Sequence, residues 1–556
     1  MAFFSGTAGN DTADATGAGT LIGFTPNDLA ALTDNIGDDF TGGGGVDTII
    51  SGSGDDNITL AFGNIGLPVN VGTFDGGAGI DTLVQRVMSL QFDTISNIEI
   101  LLGENITAFA AQLEAVTTIK HYFGNNQHIN IFLANPGGVT LNLNDELAGG
   151  PTATIHGTNG NDNLTGNLAA GGTLEGEGGN DTLNGGPSTD ILRGGSGTDT
   201  VSYASANSAV TVSLALSGGE QQFTGGGGID TLIDIENLIG SSFKDVLTGD
   251  AGANVLNGGA RNDNLNGGAG NDTLNGGAGI DTANYSTASA GVSLNLGFAA
   301  AQNTGGSGND APISIENVIG SAFNDTLAGT DAVNVFTGLG GNDTLVGRGG
   351  NDTLNGGAGT DIAHYAGSTA GVTVNLAAGV ATGGWGTDTL ISIETVIGTA
   401  FNDVLTGDSG ANLLAGLGGN DVLDGGGGND NLSGAHGADI LIGGLGKDGL
   451  LGGNDADRFD FNSLSETLPA TRDVIIDFSR AQGDKIDLST IDADIDGTAG
   501  NQAFSFIGTT AFTGIDGQLR QTNNVIQGDV NGDQVADFEI VWNFAGVNLI
   551  GSDFIL

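Results

Sequence analysis

Between Gly398 and Asp460 the chain divides, without insertion, into seven consecutive nine-residue units: GTAFNDVLT, GDSGANLLA, GLGGNDVLD, GGGGNDNLS, GAHGADILI, GGLGKDGLL and GGNDADRFD. Each opens on glycine, carries Asp or Asn at its sixth position and places an apolar residue at its eighth. Such a repeat cannot be helical, because each glycine in a helix interior costs about 1 kcal/mol relative to alanine. The first six residues supply the positive-φ positions of a tight turn. The last three place one side chain inward and two outward, as a short strand does. Two nonads therefore make one coil of strand, turn, strand, turn, and stacked coils make a parallel β-roll, a form of β-solenoid.

The same units recur upstream. From Gly157 the chain reads GTNGNDNLT and, after a ten-residue unit, GEGGNDTLN, GGPSTDILR and GGSGTDTVS. A longer period overlies the short one: IEN or IET recurs at Ile235, Ile315 and Ile393, spacings of 80 and 78 residues, each time followed by IG-x-x-F-x-D. Alternating segments (VTVSLAL at Val210, VSLNL at Val292, VTVNL at Val372) separate the glycine-rich blocks, and Gly240–Asn284 and Gly320–His364 each divide into five nonads. One supersecondary unit has been copied, with neighbouring coils burying each other's faces.

Residues 1–150 are expected to be a β-rich N-terminal region. They hold scattered turns such as GGGGVD (Gly42 to Asp47) and GGAGID (Gly76 to Asp81), and apolar runs at Ile98–Gly103, Ile129–Ala134 and Val139–Asn144. Within them ITAFAAQLEAV, Ile106 to Val116, is expected to form a helix. Residues 151–460 form the roll. Residues 461–556 lose the repeat, regain both signs of charge and are expected to form a β cap over the roll's open edge, which would otherwise template aggregation. The fold class is all-β.

Charge then names the partner. The chain has 65 acidic and 12 basic residues, a net charge of −53. Nucleic acid and anionic lipid are excluded as direct partners, since binding phosphates needs a basic face. Calcium takes six to eight oxygens from carboxylates and backbone carbonyls, and the glycine turn with its Asp offers both. Residues eighteen apart fall on one edge, one coil on, which pairs Asp421 with Asp439, Asp430 with Asp448, Asp263 with Asp281 and Asp343 with Asp361. The candidate metal ligands are Asp181, Asp190, Asp199, Asp263, Asp272, Asp281, Asp343, Asp352, Asp361, Asp421, Asp430, Asp439 and Asp448. Asp and Asn also favour turns unaided, but that does not account for runs of five and seven in register. Some units are degenerate: Arg261 replaces a turn glycine, Asn254, Asn334 and Asn412 replace the Asp, and Lys447 adjoins Asp448. Two carboxylates about 5 Å apart repel by roughly 3 kcal/mol at an effective dielectric near 20. The roll is therefore expected to be open in cytosolic calcium and closed in the roughly millimolar calcium outside cells.

Cysteine is absent, which fits a secreted chain that does not use disulfides. The opening residues MAFFSGTAGNDT lack the basic stretch and apolar run of a Sec-type signal. No run of about 18 apolar residues predicts a membrane span.

GGAGNDTLN (Gly267 to Asn275) and GGGGNDNLS (Gly425 to Ser433) resemble the RTX, or hemolysin-type, repeats of proteins exported by bacterial type I secretion, and the resemblance covers at least Gly157 to Asp460. From about Arg458 onward, DVIIDFSRAQGDKIDL, GDVNGDQVADFEI and the final DFIL resemble the C-terminal domain of serralysin-type metalloproteases. The resemblance implies an extracellular protein whose uncleaved C-terminus is read by the type I machinery. Asp553 to Leu556 match that signal in kind, ending on Leu where Val is more familiar. Asp529, Asn531, Asp533 and Asp537 have the spacing of a further oxygen-ligand loop.

Serralysin chemistry needs HExxH, and none of His121, His128, His156, His364 and His436 begins it. With no Cys, no GxSxG elbow and no P-loop lysine, the chain reads as a non-enzyme: a secreted calcium-binding structural protein of a cell surface, surface layer or matrix. Self-assembly and cell-surface polysaccharide are the macromolecular partners this allows. The alternative is a secreted enzyme, protease-like or polysaccharide-modifying, with its site in residues 1–150. A membrane-active toxin is disfavoured by the lack of an amphipathic basic helix.

Overall fold

The computed structural model describes residues 129–133, 137–143, 152–166, 171–216, 219–494, 501–543 and 548–556, together with the backbone of short strands before residue 129. The chain forms two compact units, Met1–Asp281 and Thr282–Leu556. Among the described residues the only helical turns are three short 3-10 segments, Leu214–Leu216, Leu464–Glu466 and Gly551–Asp553. No helix there is long and apolar enough to cross a membrane.

In the first unit, Ala153–His156, Thr173–Gly178, Thr189–Ser196 and Gly228–Ile233 pair in parallel on one face. Asn163–Thr165, Thr182–Asn184, Thr200–Ser202, Asn237–Ile239 and Val255–Ala260 do so on the opposing face. One strand corrects an expectation. Asn105–Ala108, which begins the segment expected to be helical, pairs in parallel with Leu90–Ser96 and with Ile129–Leu133. Ile106 and Thr107 are β-branched and poor helix formers, and pairing on both edges outweighs the weak helical pattern. The rest of that segment lies outside the described residues.

The second unit shows the coil most plainly. Val404–Thr406, Val422–Asp424, Ile440–Ile442 and Arg458–Asp460 form one parallel ladder, with Val404 opposite Val422, Val422 opposite Ile440 and Ile440 opposite Arg458. Thr395–Ile397, Leu413–Gly418, Asn431–His436 and Gly449–Asn454 form the facing ladder. The eighth residues of successive nonads, Leu405, Leu414, Leu423, Leu432, Leu441, Leu450 and Phe459, are at most 1% exposed. They alternate between the two ladders, so the core is one column of side chains from each wall.

Coiling outlasts the repeat. Lys485–Asp487 and then Phe554–Ile555 extend the first ladder, while Val474–Ile475 and Phe538–Trp542 extend the second. Only then does an antiparallel meander of Gln518–Thr522, Val525–Asp529 and Phe538–Trp542 close the end. Its core is aromatic, with Phe478 against Trp542 and Phe504 against Phe538, both edge to face.

The last strand is held by an ion pair. Arg480 donates from Nε to Asp553 Oδ1 at 2.7 Å and from Nη2 to Asp553 Oδ2 at 2.5 Å, and Asp553 is fully buried. Burial alone would raise the Asp553 pKa, but the Arg480 contacts hold it below the usual carboxylate range. Arg480→Ala would strand a buried charged acceptor, costing about 2–3 kcal/mol. The expected result is a lower melting temperature of the calcium-loaded protein and faster carboxypeptidase trimming, and unchanged trimming would remove Arg480 as the latch.

Candidate metal-binding ladders

Each turn aspartate makes the same backbone contact. Asp403 N–H donates to Asp421 Oδ1 and Asp421 N–H to Asp439 Oδ1, both at 2.8 Å, and Asp439 N–H donates to Asp457 Oδ1 at 3.0 Å. Along the other edge Asn412, Asp430 and Asp448 donate to Asp430, Asp448 and Asp473 at 2.8, 2.7 and 2.9 Å. The pairs Asp263 with Asp281 and Asp343 with Asp361 are joined in the same way at 2.7 and 2.8 Å. Asp272 Oδ1 accepts from Asn254 N–H, and Asp181 Oδ1 from Asp162 N–H. Carboxylates thus stack one coil apart along both edges of the roll.

The second oxygen decides what the ladders are for. Oδ2 of Asp181, Asp190, Asp199, Asp263, Asp343, Asp352, Asp361, Asp421, Asp430, Asp439, Asp448, Asp457 and Asp473 is buried without a hydrogen-bond partner. A Cβ built on Gly425 would lie 2.5 Å from both Asp430 Oδ2 and the Gly443 carbonyl oxygen. The same crowding recurs at Gly434, between Asp439 Oδ2 and the Gly452 carbonyl, and at Gly176, between Asp181 Oδ2 and the Gly194 carbonyl. Only glycine can open such a unit. A carboxylate oxygen and the next coil's carbonyl oxygen then converge with no donor between them, which is costly unless a cation or a proton is supplied.

The titration of these groups reflects that deficit. Burial pushes Asp190, Asp263, Asp421, Asp430 and Asp457 up to about 7, and Asp181, Asp343 and Asp352 up to about 6. Backbone N–H donors pull the other way, and neighbouring carboxylates add to the rise. The donors are all oxygens, a set that suits a hard cation such as calcium. A bound calcium ion supplies the positive charge these oxygens lack.

Residues 152–170, 171–201, 224–260, 248–283, 328–363 and 393–423 match the family model of the RTX calcium-binding nonapeptide repeat. The chain carries RTX repeats. Residues 411–556 match the family model of the peptidase M10 serralysin C terminal, so the last RTX coils and the closing meander fall within one matched region. No curated protein matches the chain. RTX repeats bind several calcium ions, and the unpartnered oxygens recur along the RTX coils.

Two aspartates with the same orphaned oxygen escaped the reading of the RTX pattern. Asp457 is the sixth residue of GGNDADRFD, a unit counted in the repeat but not drawn on for ligands, and Asp473 stands beyond the last nonad. Its signal is spatial, since it accepts from Asp448 N–H where a repeat aspartate would. The loop at Asp529 is largely closed by its own bonds. Asp529 Oδ2 accepts from Gln534 N–H, Asp533 Oδ1 from Val535 N–H, Asp537 Oδ2 from Val530 N–H and Asp537 Oδ1 from Asn531 Nδ2, leaving Asp529 Oδ1 buried and unpartnered.

Not every RTX-like aspartate is open. Asp230 Oδ2 accepts from the Tyr203 hydroxyl at 3.0 Å and the Thr224 hydroxyl at 3.1 Å, and Asp388 Oδ2 from the Tyr365 hydroxyl at 3.0 Å. Among the described residues one set of three His and acidic side chains gathers its ligand atoms within 4.8 Å: His156, Glu175 and Glu177. His156 Nδ1 lies 2.9 Å from Glu175, whose other oxygen is 3.7 Å from Arg193, and the ring stacks on Phe132, so the set is already engaged with its neighbours. His436 is exposed beside Asn454, and His121 and His128 lie outside the described residues.

Proposed function

We propose that this is a secreted calcium-binding structural protein, a component of a cell surface or extracellular matrix, that folds on external calcium after type I export. The observation that carries the reading is the ladder of buried carboxylate oxygens without partners, which keeps the roll from closing until charge is supplied. In this reading the ions are held by Asp181, Asp190, Asp199, Asp263, Asp272, Asp281, Asp343, Asp352, Asp361, Asp421, Asp430, Asp439, Asp448, Asp457 and Asp473, with backbone carbonyls of the turn glycines. Asp529, Asn531, Asp533 and Asp537 form a separate, weaker candidate. Residues 151–460 are the calcium-dependent body, residues 461–556 the cap and export region, and residues 1–150 a β-rich N-terminal region. The reading assigns no catalytic role, because the matched RTX and serralysin C-terminal regions are calcium-binding and accessory modules.

The test is a calcium titration followed by circular dichroism and sedimentation. The expected result is a coil-to-β transition near millimolar calcium, where extracellular calcium modules bind with dissociation constants of about 10⁻⁴–10⁻³ M, reversed by chelator. A chain fully folded in chelator at neutral pH would overturn the reading. Sheets or filaments at high calcium would favour a surface-layer role, and a monomer throughout a matrix or adhesive one.

A further inference from the structure

The nonad turns fall into two backbone classes, divided by their second residue. In the turns that leave Oδ2 unpartnered, this residue has positive φ. Glycine fills most of these positions, as at Gly357 with φ of 102° and Gly426 with 86°. Elsewhere a larger residue is forced into the same region, as at Leu339 with 78°, Leu417 with 76° and Ala435 with 78°. Positive φ is strained for any residue with a Cβ.

In the other class the second residue is Thr158, Ser241, Ser321 or Thr399, none of which has positive φ. There its N–H donates to Oδ2 of the sixth residue, Asp162, Asp245, Asp325 or Asp403, at 2.5–2.6 Å. Its hydroxyl donates to Oδ1 at 2.7–3.0 Å. The remaining capacity of Oδ1 is used as well, since Val139, Val210, Val292 and Val372 donate their N–H groups to it. Both carboxylate oxygens are satisfied by the chain itself. Where the sixth residue is Asn254, Asn334 or Asn412, the second is Asp250, Thr330 or Asp408, and its N–H donates to the Asn Oδ1 at 2.8 Å.

Side-chain chemistry accounts for the division. Ser, Thr and Asp accept from the backbone N–H two residues on and fix a local turn. Ser241 Oγ takes the Phe243 N–H at 3.0 Å, Thr399 Oγ1 the Phe401 N–H at 2.9 Å and Asp408 Oδ1 the Gly410 N–H at 2.7 Å. That turn holds the second peptide with its N–H towards the carboxylate. Gly, Leu, Ala and Arg348 have no such short acceptor, and Glu177 turns its carboxylate to His156, so the peptide turns and the oxygen stays bare.

We propose that, outside the turns of Asp230 and Asp388, whose Oδ2 takes side-chain hydroxyls, the second residue of a nonad decides whether its turn takes calcium: Ser, Thr or Asp closes the turn, and the others leave it open. Asp245, Asp325 and Asp403 then hold no ion. They stand at the first nonad of each later block and tie it to the alternating segment before it. The calcium blocks are bounded by rungs that close without metal. The inference rests on the reading of the open turns as calcium sites.

The test compares calcium stoichiometry by equilibrium dialysis at saturating calcium, on the full chain, for three proteins. They are the unaltered chain, the closed-turn triple Asp245→Asn, Asp325→Asn, Asp403→Asn, and the open-turn triple Asp343→Asn, Asp421→Asn, Asp439→Asn. The closed-turn triple should bind as many ions as the unaltered chain, even if its calcium midpoint moves, while the open-turn triple binds fewer. Equal losses in the two triples would overturn the proposal. If circular dichroism shows that the closed-turn triple does not fold, Asp325→Asn alone carries the comparison, with the same two outcomes. An unaltered chain that binds no calcium would instead bring down the reading of the ladders themselves.

Discussion

In chelator, the roll should be open at pH 8 and should fold as the pH is lowered to about 5. Burial raises Asp190, Asp263, Asp421, Asp430 and Asp457 to about 7 in the folded chain, against about 3.9 when unfolded. The folded state therefore holds more protons than the unfolded state between those two values. By linkage its stability falls as pH rises through that window, and is fully recovered only below about 4. Protons stand in for the missing cation, each neutralising one buried oxygen. The calcium affinity of the already folded roll should fall as pH falls, because proton and ion compete for the same atoms. Circular dichroism in chelator from pH 8 to pH 5 reads the first effect directly. A β signal that stays flat across that range would show that the buried carboxylates are not what holds the roll open.

Replacing Asp421, Asp430, Asp439 and Asp448 together with Asn should have opposite effects with and without calcium. In chelator it removes four buried negative charges whose outer oxygens lack partners, so the roll should become more stable. The amide oxygen can still accept a backbone N–H, as Asn412 Oδ1 accepts from Asp408 N–H in its own turn. In roughly millimolar calcium each lost site forgoes about 0.4–1.4 kcal/mol. The four together should therefore forgo about 2–6 kcal/mol. Thermal melts with and without calcium measure both, and the gap between the two melting temperatures should shrink. A variant destabilised equally in both conditions would mean that these aspartates act through packing alone.

Much of this was legible because the roll is built from very local rules. One inward residue per nonad was enough to mark Leu405 through Phe459 as the core, and the period of nine fixed which aspartates meet one coil on. Past Asp460 those rules stop being written in the sequence, yet coiling continues. Parallel pairing is a backbone interaction, and each further rung asks only for one buried apolar residue, supplied by Ile475, Ile486 and Phe554. Asp473 therefore takes a ladder position without a motif to announce it. The helix expected from Ile106 does not begin there for the same reason in reverse, since a neighbouring strand on each side decided the backbone of Asn105–Ala108. The division into open and closed turns was present in the second residue of the nonads, except where a tyrosine hydroxyl reaches Asp230 or Asp388. It cannot be read from aspartate spacing, because closure depends on where a backbone N–H points.

The single-file core has a mechanical consequence. Between Val404 and Asp460 each rung of a ladder pairs with the rung before and the rung after it, so a pull on the chain does not have to break a whole interior at once. Tension would peel coils singly from a free end, and each coil of eighteen residues, paired as Val404 with Val422, would release roughly 60 Å of chain. The force needed per step would rise with calcium at open turns and be indifferent to it at closed ones. Under load such a protein yields in small, repeatable lengths whose stiffness the surrounding calcium sets.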